Sequence, residues 1–272
     1  MTEAIKTGIP FADYRALDGL NASAIKKGMV SILHMRDAIM TESVATPVMR
    51  WGSLAHAIVL EPDLFAEKAN IFEGKTRRGK AWDTYCEENI IEFCVSKIEL
   101  DKLKAIKKKL HENKTAHNLI EKTKHEVCIE WTGDGYGKAK ARLDGYDEKL
   151  GILEYKTAKA ITPRAFFNNA YKMGYHLQLG WYALGIKELT GAWPNVTVLV
   201  QEQSSPHDCY VSPVSDSIVQ KGADAAIEIA KRYRIAESTG YFRGVADGEM
   251  VDFELPEWAS ENSLDVDMEG VE

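Results

Sequence analysis

Arg142-Leu143-Asp144-Gly145-Tyr146 is followed after a short gap by Gly151-Ile152-Leu153-Glu154-Tyr155-Lys156-Thr157. Both segments alternate in character or run apolar and β-branched, which predicts two strands over about Tyr136–Tyr146 and Gly151–Thr157. Upstream, His125 to Thr132 alternates apolar and polar residues and predicts a third strand, with Gly133-Asp134-Gly135 as the turn between them. Downstream, helices are expected at about Pro163–Tyr171 and Gly174–Leu189. The run Asn195-Val196-Thr197-Val198-Leu199-Val200 follows and reads as a central strand covered on both faces. Tyr210–Pro213 can add a strand, and Asp216–Glu237 has the spacing of a long amphipathic helix.

The N-terminal half reads differently. Asn21-Ala22-Ser23 is a helix start, with apolar positions continuing to about Ile39. Thr46-Pro47 breaks the chain, and a second helix is expected from about Met49 to Leu60, ending at Glu61-Pro62. Gly74 to Gly79 is a basic loop. Lys80–Cys94 and Lys97–Glu112 read as helices, the second with a lysine-rich face. The prediction is one α/β domain with a central mixed sheet flanked by helices and a helical N-terminal region.

At 272 residues with 45% hydrophobic and 28% charged side chains, the composition is that of a globular chain rather than a disordered or collagen-like one. The longest apolar run, Leu54 to Leu60, carries His56 and is too short to span a bilayer. The first residues lack the order of a signal peptide, so a cytoplasmic protein with no membrane partner is expected. Cys86, Cys94, Cys128 and Cys209 form no close pair, which disfavours structural zinc, an iron–sulfur cluster and a disulfide framework.

The charge is unevenly placed. Lys and Arg number 34 against 41 Asp and Glu, but ten of the acids fall in Val245–Glu272, where no basic residue occurs. The remaining chain is therefore net +3, and Lys75–Lys124 alone carries 13 basic against 8 acidic residues. The reading is a mildly basic domain over residues 1–244 and an acidic tail over 245–272.

Chemistry enters through the strand pair. Residues two apart on a strand share a face, so Glu154 and Lys156 project together, and a hairpin can bring Asp144 beside Glu154. Two close carboxylates repel and call for a cation, and a divalent metal with oxygen ligands supplies one. Metal, carboxylates and an amine are the equipment of phosphodiester hydrolysis. The bland alternative is a salt-bridged, exposed hairpin. His56 stands in an apolar helix, as a ligand or as a core histidine. Gln178 and Tyr182, four apart, share a helix face.

In their order and spacing, Gly52-x-x-x-His56, Asp144, Glu154-x-Lys156-Thr157 and Gln178-x-x-x-Tyr182 resemble the PD-(D/E)XK nuclease superfamily, and within it the phage RecE-like exonucleases. Ala22-Ser23-Ala24-Ile25-Lys26, Met49 to Pro62 and Thr76-Arg77-Arg78-Gly79-Lys80-Ala81-Trp82 are also similar to that family. The likeness covers about Leu20 to Tyr182. It implies a restriction-endonuclease-like core, with Asp144 and Glu154 as metal carboxylates and the main-chain oxygen of Tyr155 and the imidazole of His56 as further ligands. Lys156 would position the attacking water, while Gln178 and Tyr182 would orient the lysine or contact the scissile strand. Ser23 and Arg50 are candidates for a terminal phosphate, and Arg77, Arg78 and Lys80 for the DNA backbone. The acid before the lysine is Glu154, where close relatives often have Asp.

The resemblance further implies Mg²⁺, with Mn²⁺ able to substitute because imidazole is softer than Mg²⁺ prefers. It implies digestion of one strand of linear duplex DNA, 5′→3′, leaving a 3′ strand for a single-strand annealing partner, by a homo-oligomeric ring in a bacterial host cytoplasm. A structure-specific or RecB-like endonuclease, or a non-catalytic DNA-binding protein on the same fold, are the alternatives. Gly74-x4-Gly79-Lys80 imitates a phosphate-binding loop, but Ala81 stands where Ser or Thr would reach Mg²⁺, so ATP is not expected.

Overall fold

The computed structural model describes residues 4–41, 45–74, 79–89, 93–252 and 254. Arg77 and Arg78, and the acidic tail beyond residue 254, lie outside them. A six-stranded sheet in the order β1-β4-β5-β6-β7-β8 forms the centre, from β1 (Ile5–Lys6), β4 (Lys124–Gly133), β5 (Gly137–Asp147), β6 (Gly151–Ala158), β7 (Val196–Glu202) and β8 (Cys209–Val214). β4, β5 and β6 are an antiparallel meander. β6 and β7 run parallel across the crossover made by α9 (Pro163–Lys172) and α10 (Tyr175–Thr190), and β8 returns antiparallel. The sheet is mixed because a helical crossover is the connection that lets two neighbouring strands run the same way.

One core lies between the sheet and α10, α11 (Asp216–Thr239) and α2 (Ala22–Gly28). It contains Ile25, Leu143, Ile152, Leu177, Trp181, Val198 and Ala226. The other lies under α4 (Pro47–Leu60), α7 (Lys97–Glu112) and α8 (Lys114–Lys122), with Leu54, Ile58, Leu103, Ile106, Leu153, Tyr155 and Leu199. β7 supplies Val196, Val198 and Val200 to the first and Leu199 to the second, so it is covered on both faces as its composition predicts. α10 and α11 cross where Gly180 meets Gly222 and Ala223; a Cβ on Gly180 would run into that backbone. This close crossing fixes the height at which α10 presents Gln178 and Tyr182 to the sheet.

Several boundaries differ from the sequence reading. The helix expected from Asn21 to about Ile39 is two, α2 and α3 (Ile32–Met40), because the Ser31 side chain accepts the His34 N–H and starts a new helix. Helix α6 (Lys80–Glu88) ends before Cys94. Cys94–Ser96 is strand β3, paired in parallel with β2 (Asn70–Phe72) in a separate two-stranded sheet. That pairing is tertiary and overrides the helical pattern. The short elements β1, α1 (Phe11–Ala16), α5 (Pro62–Lys68) and β2 are too brief to carry a periodic signal, whereas α8, amphipathic and capped by the Asn113 side chain, is a helix the sequence reading omits. Among the described residues no helix is long and apolar enough to cross a membrane.

Candidate active site

The meander opens where the acids sit. β5 and β6 pair from Asp147↔Gly151 to Gly145↔Leu153, and the ladder stops there, one residue short of Asp144 and Glu154. The Asp144 side chain takes over: its Oδ2 accepts the Tyr155 N–H at 2.8 Å. The N–H and C=O of one strand residue point to the same side, so the Tyr155 carbonyl faces this gap as well. On the other flank the β4–β5 ladder passes from His125↔Gly145 to Val127↔Leu143, with Glu126 between them at φ 51°. A non-glycine residue in the left-handed region is strained, and such strain concentrates at functional sites.

α4 lies over this gap, capped by Thr46 and started by Pro47. It brings His56 Nδ1 to 3.4 Å from Asp144 Oδ1, with the imidazole 4.9 Å from the Tyr155 ring. His56, Glu126 and Asp144 each offer a ligand atom, all within 4.8 Å of one another. Glu126 Oε2 is 3.0 Å from Arg142 Nε, and Arg142 also reaches Glu61 at 3.5 Å, so one guanidinium balances the outer acids.

Glu154 is 1% exposed. Its Oε1 accepts from the Lys156 ammonium and from Gln178 Nε2, the latter at 2.6 Å, while its Oε2 is buried without a partner among the described residues. Gln178 Nε2 also donates to Tyr182 Oη at 3.0 Å, and Gln178 Oε1 accepts from Lys26 at 2.9 Å. Glu154, Lys156, Tyr175, Gln178, Leu179 and Val198 line a cavity of about 10 Å³, at the lower limit for one water.

The electrostatics follow from burial and crowding. Burial and then the Asp144 charge push Glu126 up to about 8. Burial and Asp144 likewise raise Glu154, against the pull of Lys156. Burial alone would lift Asp144 and depress His56, but each is the other's counter-ion, so Asp144 is held below the usual carboxylate range and His56 above 6.5. Burial would also depress Lys156, yet Glu154 and Asp144 outweigh it and hold the amine protonated. An orphaned carboxylate oxygen, a crowded trio of acids and one imidazole fit a divalent cation held mainly by oxygen. Among the described residues, Asp144, Glu126 and His56 are the groups close enough together to hold it; Glu154 falls outside that trio, although its carboxylate feels the Asp144 charge.

Asp144, Tyr155, Glu154, Lys156, Gln178, Tyr182 and His56 are thus brought to one place. The remaining candidates make no hydrogen bond to these groups among the described residues. Ser23 is exposed on the first turn of α2, and Lys80 is exposed at the start of α6. Arg50 donates to the Cys94 carbonyl and to Glu99 Oε1, the latter at 2.9 Å, and so ties α4 to β3 and α7. Two groups were not singled out from the sequence. Glu126 looks like an ordinary alternating strand residue, and Lys26 becomes visible only once α2 packs on α10.

Residues 24–240 match the profile of a family described as a PDDEXK-like domain of unknown function. Among solved structures, a candidate exonuclease from Eubacterium rectale superposes with a TM-score of 0.64 at 11% identity, covering 95% of this chain and 100% of that one. A protein titled SSO0001 covers 82% of this chain and 93% of its own at 13% identity, but its TM-score of 0.27 is too low to bear on the fold. No curated protein matches the sequence.

Proposed function

Because this chain belongs to that family of PDDEXK-like domains, we propose that it is a divalent-cation-dependent nuclease. The observation that carries the reading is Glu154: a buried carboxylate, raised by the Asp144 charge, whose Oε1 accepts two hydrogen bonds while its Oε2 has no partner among the described residues. Asp144, Glu154, His56 and the Tyr155 carbonyl are the proposed ligands, joined by Glu126. A bound divalent cation would polarise a phosphoryl oxygen and make water a stronger nucleophile at neutral pH. Lys156 donates to Glu154 Oε1, and its remaining N–H groups are free to hold the attacking water and the phosphate oxygen. Gln178 fixes the Glu154 carboxylate, and Tyr182 fixes Gln178. Mg²⁺ is the proposed ion, and the imidazole favours substitution by Mn²⁺.

The finer reading is an exonuclease of RecE-like type, acting 5′→3′ on one strand of linear duplex ends as a homo-oligomer and supplying an annealing partner. The ordered likeness from Gly52-x-x-x-His56 to Gln178-x-x-x-Tyr182 supports it, as does the net positive charge of residues 1–244. In this reading Ser23, Lys80, Arg77 and Arg78 meet phosphates.

The test is digestion of linear duplex labelled at the 5′ or the 3′ end, beside a covalently closed circle, with Mg²⁺ and with chelator. Loss of the 5′ label first, an intact circle and no reaction in chelator are expected. Cleavage of the circle would make it an endonuclease. Binding without cleavage under either Mg²⁺ or Mn²⁺ would leave a non-catalytic DNA-binding protein.

A further inference from the structure

We propose that Lys26 is a positioning residue for Glu154, acting through the side-chain amide of Gln178; the inference rests on the nuclease reading and assigns a task to the N-terminal helical region. A lysine ammonium can only donate hydrogen bonds. Lying 2.9 Å from Gln178 Oε1, it fixes which way the amide faces. The NH₂ group must then point to Glu154 Oε1 at 2.6 Å and Tyr182 Oη at 3.0 Å. With the amide turned over, a carbonyl oxygen would face a carboxylate oxygen and an NH₂ group would face an ammonium. Both contacts are repulsive.

The consequence reaches the metal-binding oxygen. Glu154 Oε1 holds two donors, from Lys156 and Gln178, and Oε2 holds none among the described residues. A fixed Gln178 therefore keeps the carboxylate from rotating and leaves its bare oxygen available to a cation. Lys26 is half-buried, 152 positions before Gln178 in the chain, and its ammonium lies 5.6 Å from the Tyr175 ring centroid. Lys156 lies 5.3 Å from the same centroid, so the two lysines share one aromatic wall while serving opposite ends of the Gln178–Glu154 link.

The experiment compares the full-length chain with Lys26→Met, which keeps the stem and drops the donor, with Gln178→Leu, and with the double variant. Steady-state cleavage of linear duplex, Mn²⁺ calorimetry and melting temperature are read for each. Loss of a group that orients a metal ligand costs about 10-fold or more in affinity or rate. Lys26→Met is therefore expected to lower kcat about 10-fold and weaken Mn²⁺ binding, with KM for DNA and its salt dependence unchanged, and to add nothing in the Gln178→Leu background. Losses that multiply in the double variant would overturn the proposal. So would a raised KM with a shallower salt dependence, which marks a direct phosphate contact. Should Lys26→Met melt well below the wild type, Lys26→Arg decides: a donor-only side chain is expected to keep Mn²⁺ affinity and most of kcat, and a natively folded but equally impaired Arg variant refutes the idea. A wild-type chain that cleaves nothing defeats the nuclease reading itself. A wild type that cleaves no better than Lys26→Met defeats only the role given to Lys26.

Discussion

Asp144→Asn separates a cation site from a set of buried ion pairs. Asp144 joins three members of the cluster: it accepts the Tyr155 N–H, pairs with His56 and lies among the ligand atoms of His56 and Glu126. Asparagine keeps the shape and an acceptor for Tyr155, so the backbone hydrogen bond persists in neutral form at a cost of about 1 kcal/mol. The ion pair with His56 is lost, while repulsion on Glu126 and Glu154 is relieved. These terms oppose one another, so in chelator the variant is expected to melt close to the wild type. With Mn²⁺ the two diverge. An ion at 100 times its dissociation constant stabilises the wild type by about 2.7 kcal/mol, which for a chain of this size is a shift of roughly 5–10 °C. If losing the ligand weakens binding about 100-fold, the same ion concentration gives about 0.4 kcal/mol and a shift of about 1 °C. Thermal melts with chelator and with Mn²⁺, backed by calorimetry, measure this. A variant that keeps the full Mn²⁺ shift would remove Asp144 from the ligand set. A wild type with no shift would remove the cation site.

Lys156→Ala is expected to abolish cleavage while a gel-shift assay still shows duplex binding. In chelator it should also destabilise the chain by roughly 3–5 kcal/mol, because Glu154 is left buried without its cation; retained cleavage would exclude Lys156 from the chemistry. Glu126 holds its proton in the folded, ion-free chain up to about pH 8, whereas the unfolded chain releases it near 4.5. Folding stability in chelator should therefore fall as pH rises through that window, and Glu126→Gln should flatten the slope; an unchanged slope in urea titrations would refute the assignment. His56 is raised above 6.5, so the stability from its pair with Asp144 is complete below that pH and fades as pH rises through the raised value. Binding a cation needs both the neutral imidazole and the ionised Glu126 carboxylate, so Mn²⁺ binding near pH 6 should release protons from both, and His56→Ala should lower the number released by about one, measured by calorimetry in buffers of differing ionisation enthalpy.

What the sequence determined by itself was local. Alternation set the strands around Asp144 and Glu154, and the spacing of two placed Glu154 and Lys156 together, because strand geometry repeats every two residues. The spacing of four put Gln178 and Tyr182 on one helical face, where they are hydrogen-bonded. Thr46-Pro47 and Glu61-Pro62 bounded α4 through their capping and φ restrictions. The tertiary structure decided what depends on partners distant in the chain. His56 meets Asp144 only because α4 covers the second core, and Lys26 meets Gln178 only because α2 packs on α10. Glu126 joins them through a left-handed backbone and an interrupted ladder that nothing in His125-Glu126-Val127 announces. The break in the β5–β6 ladder, where the Asp144 side chain replaces a backbone partner for the Tyr155 N–H, likewise depends on how two strands are paired rather than on any residue's own preference.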